Sequence, residues 1–475
     1  MRRPPAADVL PDGFHVRLNP RTRVYDGGRT LVGGAPATAA FLTGAAGRML
    51  DGRDIRVRDA GSRALADRLL ELGMADPVAG ELAPVGLESV TVVIPVRDRC
   101  RQLDLLLRSV PGGVRVIVVD DCSADPEEIA TAAAAHGADV VRQRVNLGPA
   151  AARNTGLEQV RTPYVAFVDS DVTLAPDTLA ILLRHFHDPK VALAAPRILG
   201  RNPAAGETWI SRYENGRASL DLGRHPALVR PRAPVAWLPS ACVVARVAAL
   251  GDGFDAGMRV GEDVDLVWRL ARQGWRVRYE PAAAVHHENR TGFAEWWARK
   301  LYYGTGAQPL AERHGRDVAP AVLSPWATAF AAGVLTQHRW SLAAGGVVAL
   351  SAFHRIAGRV GASGQSGRIG LRLTAGGAAA ALMQGSALML RHWWPAAAVG
   401  SVFSRRLRRA LVAAAVVDSA VEYARTDTDL DPLRFAVARR LDDLAYGTGV
   451  WLGALRRRSV RCLLPDVTAG SAARR

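Results

Sequence analysis

Asp169 and Asp171 stand one residue apart at the end of the run Tyr164-Val165-Ala166-Phe167-Val168-Asp169-Ser170-Asp171. Two hard oxygen donors at that spacing suit a divalent Mg or Mn ion that also holds a phosphate. The apolar, β-favouring residues in front of them read as a buried parallel strand. Alternation along an extended backbone would turn both carboxylates to one side and Ser170 to the other. In open α/β sheets, ligands bind at that end of the strands. Turns are also rich in Asp, so the pair alone reads equally as a strand-to-turn cap. The segments around it weigh against the plainer reading.

A second acidic group opens a helix, in Gly261-Glu262-Asp263-Val264-Asp265. One or two acids there complement the helix dipole; three beside a sheet edge that already holds Asp169 and Asp171 exceed what capping requires. Val285-His286-His287-Glu288 follows a strand that begins near Gly274. A histidine at a strand end would complete an ion's coordination shell, although a lone histidine is usually structural. Asp120 and Asp121 end another apolar strand. Arg153 and Asn154 fall on the first turns of a helix that starts at Pro149, whose N-terminus would face a phosphate at the same sheet end.

The elements that must position these groups alternate. Strands are expected at residues 90–96, 114–119, 139–141, 164–168, 237–244 and 274–279. Helices are expected at 102–109, 126–136, 150–160, 175–187 and 261–270. Strands alternating with helices imply right-handed βαβ units and a doubly wound, mostly parallel α/β sheet. No Gly-x-Gly-x-x-Gly follows the first strand and no Walker lysine is present, which excludes the usual dinucleotide and P-loop phosphate sites. Another device must hold the ligand.

The chain of 475 residues has room for two or three domains. Residues 1–87 form a small α+β unit of short strands and a helix ending at Gly73, which resembles a winged-helix module; a plain structural cap is the simpler reading. Residues 88–318 hold the candidate site. Residues 319–425 are rich in Ala, Gly and Leu, with apolar runs at 319–335, 342–353 and 373–390 and arginines between and after them. Two of these runs approach the length that spans a bilayer, so membrane-associated helices and a soluble bundle are both open. Residues 426–475 read as a polar helical tail with a disordered end. The net charge of +16 rests on arginine, since Lys190 and Lys300 are the only lysines. The arginines are scattered and match no nucleic-acid module, so no nucleic-acid partner is expected. A basic surface suits an anionic membrane face or an acidic donor instead. Cys100, Cys122, Cys242 and Cys462 form no close pair and read as free thiols of a reducing cytoplasm. The N-terminus leads into no apolar run of the secretory kind.

Taken together, Val92-Val93-Ile94-Pro95, Val118-Val119-Asp120-Asp121-Cys122-Ser123, Asn146-Leu147-Gly148-Pro149-Ala150-Ala151-Ala152-Arg153-Asn154, Asp169-Ser170-Asp171, Gly261-Glu262-Asp263 and His286-His287 resemble family 2 glycosyltransferases of the GT-A fold. The resemblance covers residues 90–290 and implies an inverting, metal-dependent transferase of a nucleotide-sugar donor. It implies that Pro95, Val96 and Arg97 line the nucleotide loop and that Asp121, or Asp120, accepts the uracil N–H. Asp171 would ligate a Mg or Mn ion bridging the donor diphosphate. Asp169 and Ser170 would lie beside it near the ribose, and His287 or His286 would be a further metal contact. Arg153 and Asn154 would face the donor, and Asp263, with Glu262 beside it, would be the general base. The flanking segments resemble a branch of that family whose acceptor is a small peptide-derived molecule. The Gln-x-x-Arg-Trp motif of processive members is missing, which argues against continuous polymer extrusion. A nucleotidyltransferase would carry a Gly-rich basic loop where Pro95-Val96-Arg97-Asp98 stands. A mere membrane-anchored binding module would leave the acidic constellation an accident.

Overall fold

The computed structural model describes residue 4 and residues 9–201, 207–289, 291–361 and 363–468. The chain forms two compact units, Met1–Ala204 with Ala218–Asn289, and Ala205–Arg217 with Arg290–Arg475.

The first unit is built on a nine-stranded sheet. Its strands are β1 (Val90–Val96), β2 (Arg115–Asp120), β3 (Asp139–Arg142), β4 (Tyr164–Val168), β5 (Val172–Leu174), β6 (Val191–Arg201), β7 (Ala227–Leu228), β8 (Cys242–Arg246) and β9 (Arg276–Glu288). Their order is β5-β9-β6-β8-β4-β1-β2-β3, with β7 against β9. The half formed by β4, β1, β2 and β3 is parallel. Its crossovers carry α1 (Cys100–Ser109), α2 (Pro126–Ala134) and α3 (Pro149–Glu158), and α4 (Thr178–Arg184) follows β5. Helices on both faces leave β1 no wet side. Val92, Val93 and Ile94 are accordingly all fully buried, which is why the strand reads as an unbroken apolar run. The other half is mixed: β8 runs antiparallel to both β4 and β6, β5 antiparallel to β9, and β6 parallel to β9.

Three local departures from the sequence expectation matter for the site. Strand β4 stops at Val168, and Asp169–Asp171 is a tight turn closed by Val172 N–H donating to the Asp169 carbonyl at 3.1 Å. A turn rather than strand alternation therefore aims the two carboxylates, and Ser170 is buried. The strand expected at 237–244 begins only at Cys242, because Pro239 has no N–H to give to a ladder. The freed 237–241 segment becomes a loop facing α5 (Glu262–Arg272). Finally, β9 is a single 13-residue strand, so His286 and His287 lie in paired backbone near its end.

Helix α3 lies flush on β1. A Cβ on Gly156 would collide with the Val93 side chain, so only glycine lets the helix approach this closely. Residues 9–82 have their own core of Leu10, Phe14, Val16, Leu31, Ile55, Leu69, Leu70 and Met74. Two small antiparallel sheets surround the helix Ala60–Glu71, which starts in a capping box between Asp59 and Ser62. Buried ion pairs tie this region to β9. Arg276 reaches Asp67 at 2.7 Å and Arg278 reaches Asp76 at 3.3 Å, while Arg276 also pairs with Asp188, outside that region, at 2.8 Å.

The second unit is helical. Phe293–Thr305 packs on Pro432–Arg456 so closely that a Cβ on Gly304 or Gly449 would collide with the other helix's backbone. Ser341–Arg359 and Ser366–His392 are long and apolar enough to cross a membrane by length and composition, and only 17% and 28% of their apolar windows are buried. Leu342, Val347, Leu350, Leu371 and Phe403 face outward.

Candidate active site

The carboxyl ends of β1, β2 and β4 and the N-terminus of α5 supply the charged groups of the site. The loop after β1 interlocks with the loop after β2. Asp98 N–H donates to Ser123 Oγ at 3.0 Å, and Asp98 Oδ1 accepts from Ala124 N–H at 2.7 Å. Asp98 and Cys122 both take positive φ, 56° and 62°, a conformation side chains adopt reluctantly. Pro95 is half-buried, Val96 buried and Arg97 exposed.

The two acids after β2 are spent largely on backbone. Asp120 accepts from Ser123 N–H at 2.9 Å. Asp121 accepts from Leu147 N–H at 2.8 Å and Gly148 N–H at 2.9 Å, one on each oxygen. It thereby pins the turn that launches α3, where Gly148 stands at φ 89°. A carboxylate has lone pairs for further donors after these bonds.

Arg153 is almost wholly buried, at 2% exposure. Its guanidinium donates to Asp169 Oδ1 at 2.6 Å and to Glu262 Oε1 at 3.1 Å, and lies 5.2 Å from the Phe254 ring centre. A charge this deep persists only when paired. Burial works against the charged guanidinium, but Asp169 and Glu262 outweigh it, and its pKa is raised. Arg153 is thus a strut between the Asp169 turn and the start of α5, not a group open to solvent. Asn154 is likewise taken: its amide donates to the Phe254 carbonyl at 2.7 Å and accepts from Phe254 N–H at 2.9 Å. Replacing Arg153 by Met strands two carboxylates and is expected to cost about 3 to 5 kcal/mol of stability. Thermal or denaturant unfolding checks this, with Arg153→Lys recovering part of the loss.

Of the three acids on α5, Asp265 is fully buried and holds Arg269 at 2.6 Å, a pair internal to the helix. Glu262 meets Arg153. Asp263 keeps a partial opening and accepts from Val264 N–H at 2.8 Å and, weakly, from Ser240 N–H at 3.4 Å. Burial first, and then the adjacent Glu262 charge, push its carboxyl up to about 7. A carboxylate poised there is suited to take a proton near neutral pH.

Asp171 faces a different set. Its Oδ2 binds the Arg99 guanidinium and lies 3.5 Å from His287 Nε2. Burial raises this carboxyl, but His287 and Arg99 prevail and hold it well below the usual carboxylate range. The β5–β9 register sets His287 opposite Val172, next to Asp171, and sets His286 opposite Thr173. Since neighbours on a strand point to opposite faces, His287 is the member of the doublet at the site.

A carboxylate oxygen and an imidazole nitrogen are both ligands for divalent ions. A 3.5 Å gap fits two adjacent positions around an ion with bonds of about 2.1 Å, for which neighbouring ligands lie about 3 Å apart. Asp169 is turned to Arg153 instead. Among the described residues no group of three or more His, Cys, Asp or Glu side chains is placed to hold an ion; Asp171 and His287 are two side chains that could serve as ligands.

Arg99, Phe254 and Ser240 were not singled out from sequence. Arg99 alone had a signal: a carboxylate pair at one strand end calls for a counter-charge at the end of the neighbouring strand, and Arg99 lies just past β1.

Comparison with known proteins sets this geometry in context. The model of glycosyl transferase family 2 matches residues 91–234, and that of glycosyl transferase family group 2 matches residues 164–404. A relative in Mycobacterium tuberculosis, the pre-mycofactocin glycosyltransferase, is 43% identical over 97% of this chain and 99% of its own length. An uncharacterized glycosyltransferase of Mycobacterium bovis is 34% identical over 40% of this chain and 82% of its own. Among solved structures, a mannosyltransferase from Pyrobaculum calidifontis is 17% identical over 64% of this chain and 87% of its own, with a TM-score of 0.37. Likeness that runs from end to end, with Asp169 and Asp171 falling inside both family models, makes this chain an enzyme of the GT-A fold that belongs to glycosyltransferase family 2.

Proposed function

We propose that the enzyme transfers glucose from UDP-glucose to a peptide-derived pre-mycofactocin acceptor and extends it to a short β-glucan by separate additions. The observation that carries this reading is the full-length relative, alike over 97% of this chain and 99% of its own. The raised carboxyl of Asp263 supports the chemistry. Asp263 takes the proton of an acceptor hydroxyl as that oxygen bonds to the anomeric carbon from the face opposite the leaving group. The bond from the anomeric carbon to the diphosphate oxygen breaks, its electron pair leaves with the nucleoside diphosphate, and the anomeric configuration inverts, as when an inverting hydrolase activates water. Glu262 remains paired with Arg153, so two like charges do not compete for the same proton. Asp171 and His287 would hold a divalent cation, Mg or Mn, with Asp169 beside the ribose or in its outer shell, and such an ion stabilises the charge growing on the diphosphate. The loop of Pro95, Val96 and Arg97 would take the nucleotide, and Asp121, through lone pairs its backbone bonds leave open, would accept the uracil N–H. The outward-facing apolar helices and the arginines at 405–409 suit the cytoplasmic face of an anionic membrane. They also favour one other reading, transfer to a cell-envelope lipid.

Calorimetry with UDP-glucose and with UDP, with and without manganese, tests the donor. Both are expected to bind only with the ion, and binding of neither would overturn the donor assignment. Mass spectrometry of the peptide-derived acceptor after incubation tests the rest. Stepwise hexose additions are expected; hexose found only in a lipid extract would move the acceptor to the second reading.

A further inference from the structure

Arg99 is a cation in contact with Asp171 whose position the proposed reaction does not yet use. Its guanidinium binds Asp171 Oδ2, the same oxygen that faces His287 Nε2 at 3.5 Å. The backbone beneath it is anchored. Residue 98 is locked at φ 56° by bonds to Ser123 and Ala124, and Arg99 itself is the N-cap of α1. The side chain is freer, with 40% of its surface exposed, whereas Asp171 is 14% exposed. An exposed guanidinium on an anchored backbone can swing about its side-chain bonds without cost to the fold.

A divalent ion at Asp171 Oδ2 and His287 Nε2 would sit within a few ångströms of the Arg99 guanidinium, and two cations that close repel. An ion that takes this oxygen therefore competes with Arg99 for it and favours a guanidinium moved off it. The displaced guanidinium stays within a side chain's length of Asp171, at the sheet end where a diphosphate would lie. A planar fork of N–H donors binds phosphate oxygens in pairs. Resting on the reading that Asp171 and His287 hold a divalent ion, we propose that Arg99 is a resident counter-cation of Asp171. It yields that oxygen to the arriving ion and then binds the donor's diphosphate. Arg99 is in this account a positioning residue for the ion and a binding residue for the donor, and it couples the two arrivals. The free enzyme binds the ion weakly, and the donor recovers the difference by giving Arg99 a new partner.

The test measures manganese alone, by calorimetry or by the spin-resonance signal of free Mn2+, on the full chain and on Arg99→Met and Arg99→Lys. The pair is partly exposed, so removing it is expected to tighten Mn2+ binding by about three- to five-fold in Arg99→Met. UDP-glucose at saturating Mn2+ is expected to bind the same variant about ten-fold more weakly, because a charge-assisted contact is gone. Arg99→Lys keeps the charge but loses the fork, and should lie between the other two in both measurements. Mn2+ affinity in Arg99→Met equal to or below that of the unaltered enzyme would overturn the proposal while leaving the ion site standing. Absence of Mn2+ binding to all three proteins would overturn the ion reading itself, and the proposal with it. Matching thermal melts of the three proteins show that the differences are not a folding defect.

Discussion

Asp263→Asn is expected to lower kcat by about a thousand-fold while leaving UDP-glucose affinity within about two-fold, the scale of effect that a positioned general base contributes. The substitution preserves shape and can still accept the Val264 N–H at Oδ1, but it cannot take a proton. Steady-state kinetics and calorimetry on one preparation check both halves; surviving turnover would remove Asp263 from the role of base. The pH profile sharpens the test. With its carboxyl pushed up to about 7 by burial and then by Glu262, Asp263 is mostly protonated below that pH. The kcat/KM of the unaltered enzyme should fall about ten-fold per unit on the acid side. The residual activity of Asp263→Asn should lack that limb. The same shift has a stability consequence of definite sign. Folded Asp263 holds its proton more tightly than unfolded, so the stability it carries is present at low pH and is lost as pH rises from the ordinary carboxylate value through about 7. Asp263→Asn should therefore be the more stable protein at pH 8, by up to about 4 kcal/mol. The gap should narrow as pH falls below 7 and close only near pH 4. An active site that stabilises on losing its base is the usual trade of stability for function.

Asp171→Ala is expected to weaken metal-dependent donor binding by about a hundred-fold, the upper range for loss of a metal ligand or its support. Without the ion, neither the variant nor the unaltered enzyme should bind UDP. Calorimetry with and without manganese decides it, and unchanged affinity in the presence of the ion would sink the role of Asp171. Its carboxyl is held low by His287 and Arg99 against the effect of burial, so Asp171 stays ionised through neutral pH. The acid limb described above therefore belongs to a different group, and the two variants report on separable events: ion and donor capture at the β4 turn, and proton transfer at α5.

The fold class and the identities of the acids were legible without coordinates, for a local reason. Strands buried on both faces must be apolar throughout, so β1 and β4 announce themselves as Val-rich runs, and a carboxylate at the end of such a run stands out. Asp169 and Asp171 were found this way, whereas Asp263 stood out as one of three acids opening a helix. The antiparallel half of the sheet was less legible. β8 pairs with β4 across more than seventy residues of chain, and Pro239 delays its start, so neither its partner nor its first residue follows from local pattern.

What those side chains do was decided by tertiary contacts. Arg153 and Asn154 read as donor ligands because they lie on the first turns of a helix at the sheet's end. Gly156 lets that helix settle onto Val93, and the two side chains meet Asp169, Glu262 and the Phe254 backbone instead. Three acids on one helix looked alike in sequence. Asp265 is buried against Arg269, Glu262 pairs with Arg153, and Asp263 keeps a partial opening and, among the described residues, no ion pair, which is why it is the acid proposed as base. The histidine doublet was ambiguous because its neighbours differ by one position, and only the β5–β9 register says which faces Asp171. Residue type and spacing determined that this chain carries acid chemistry at the ends of a parallel sheet. Which acid is free to act depends on desolvation and on charges brought together from β4, α3 and α5, and those distances exist only in the folded chain.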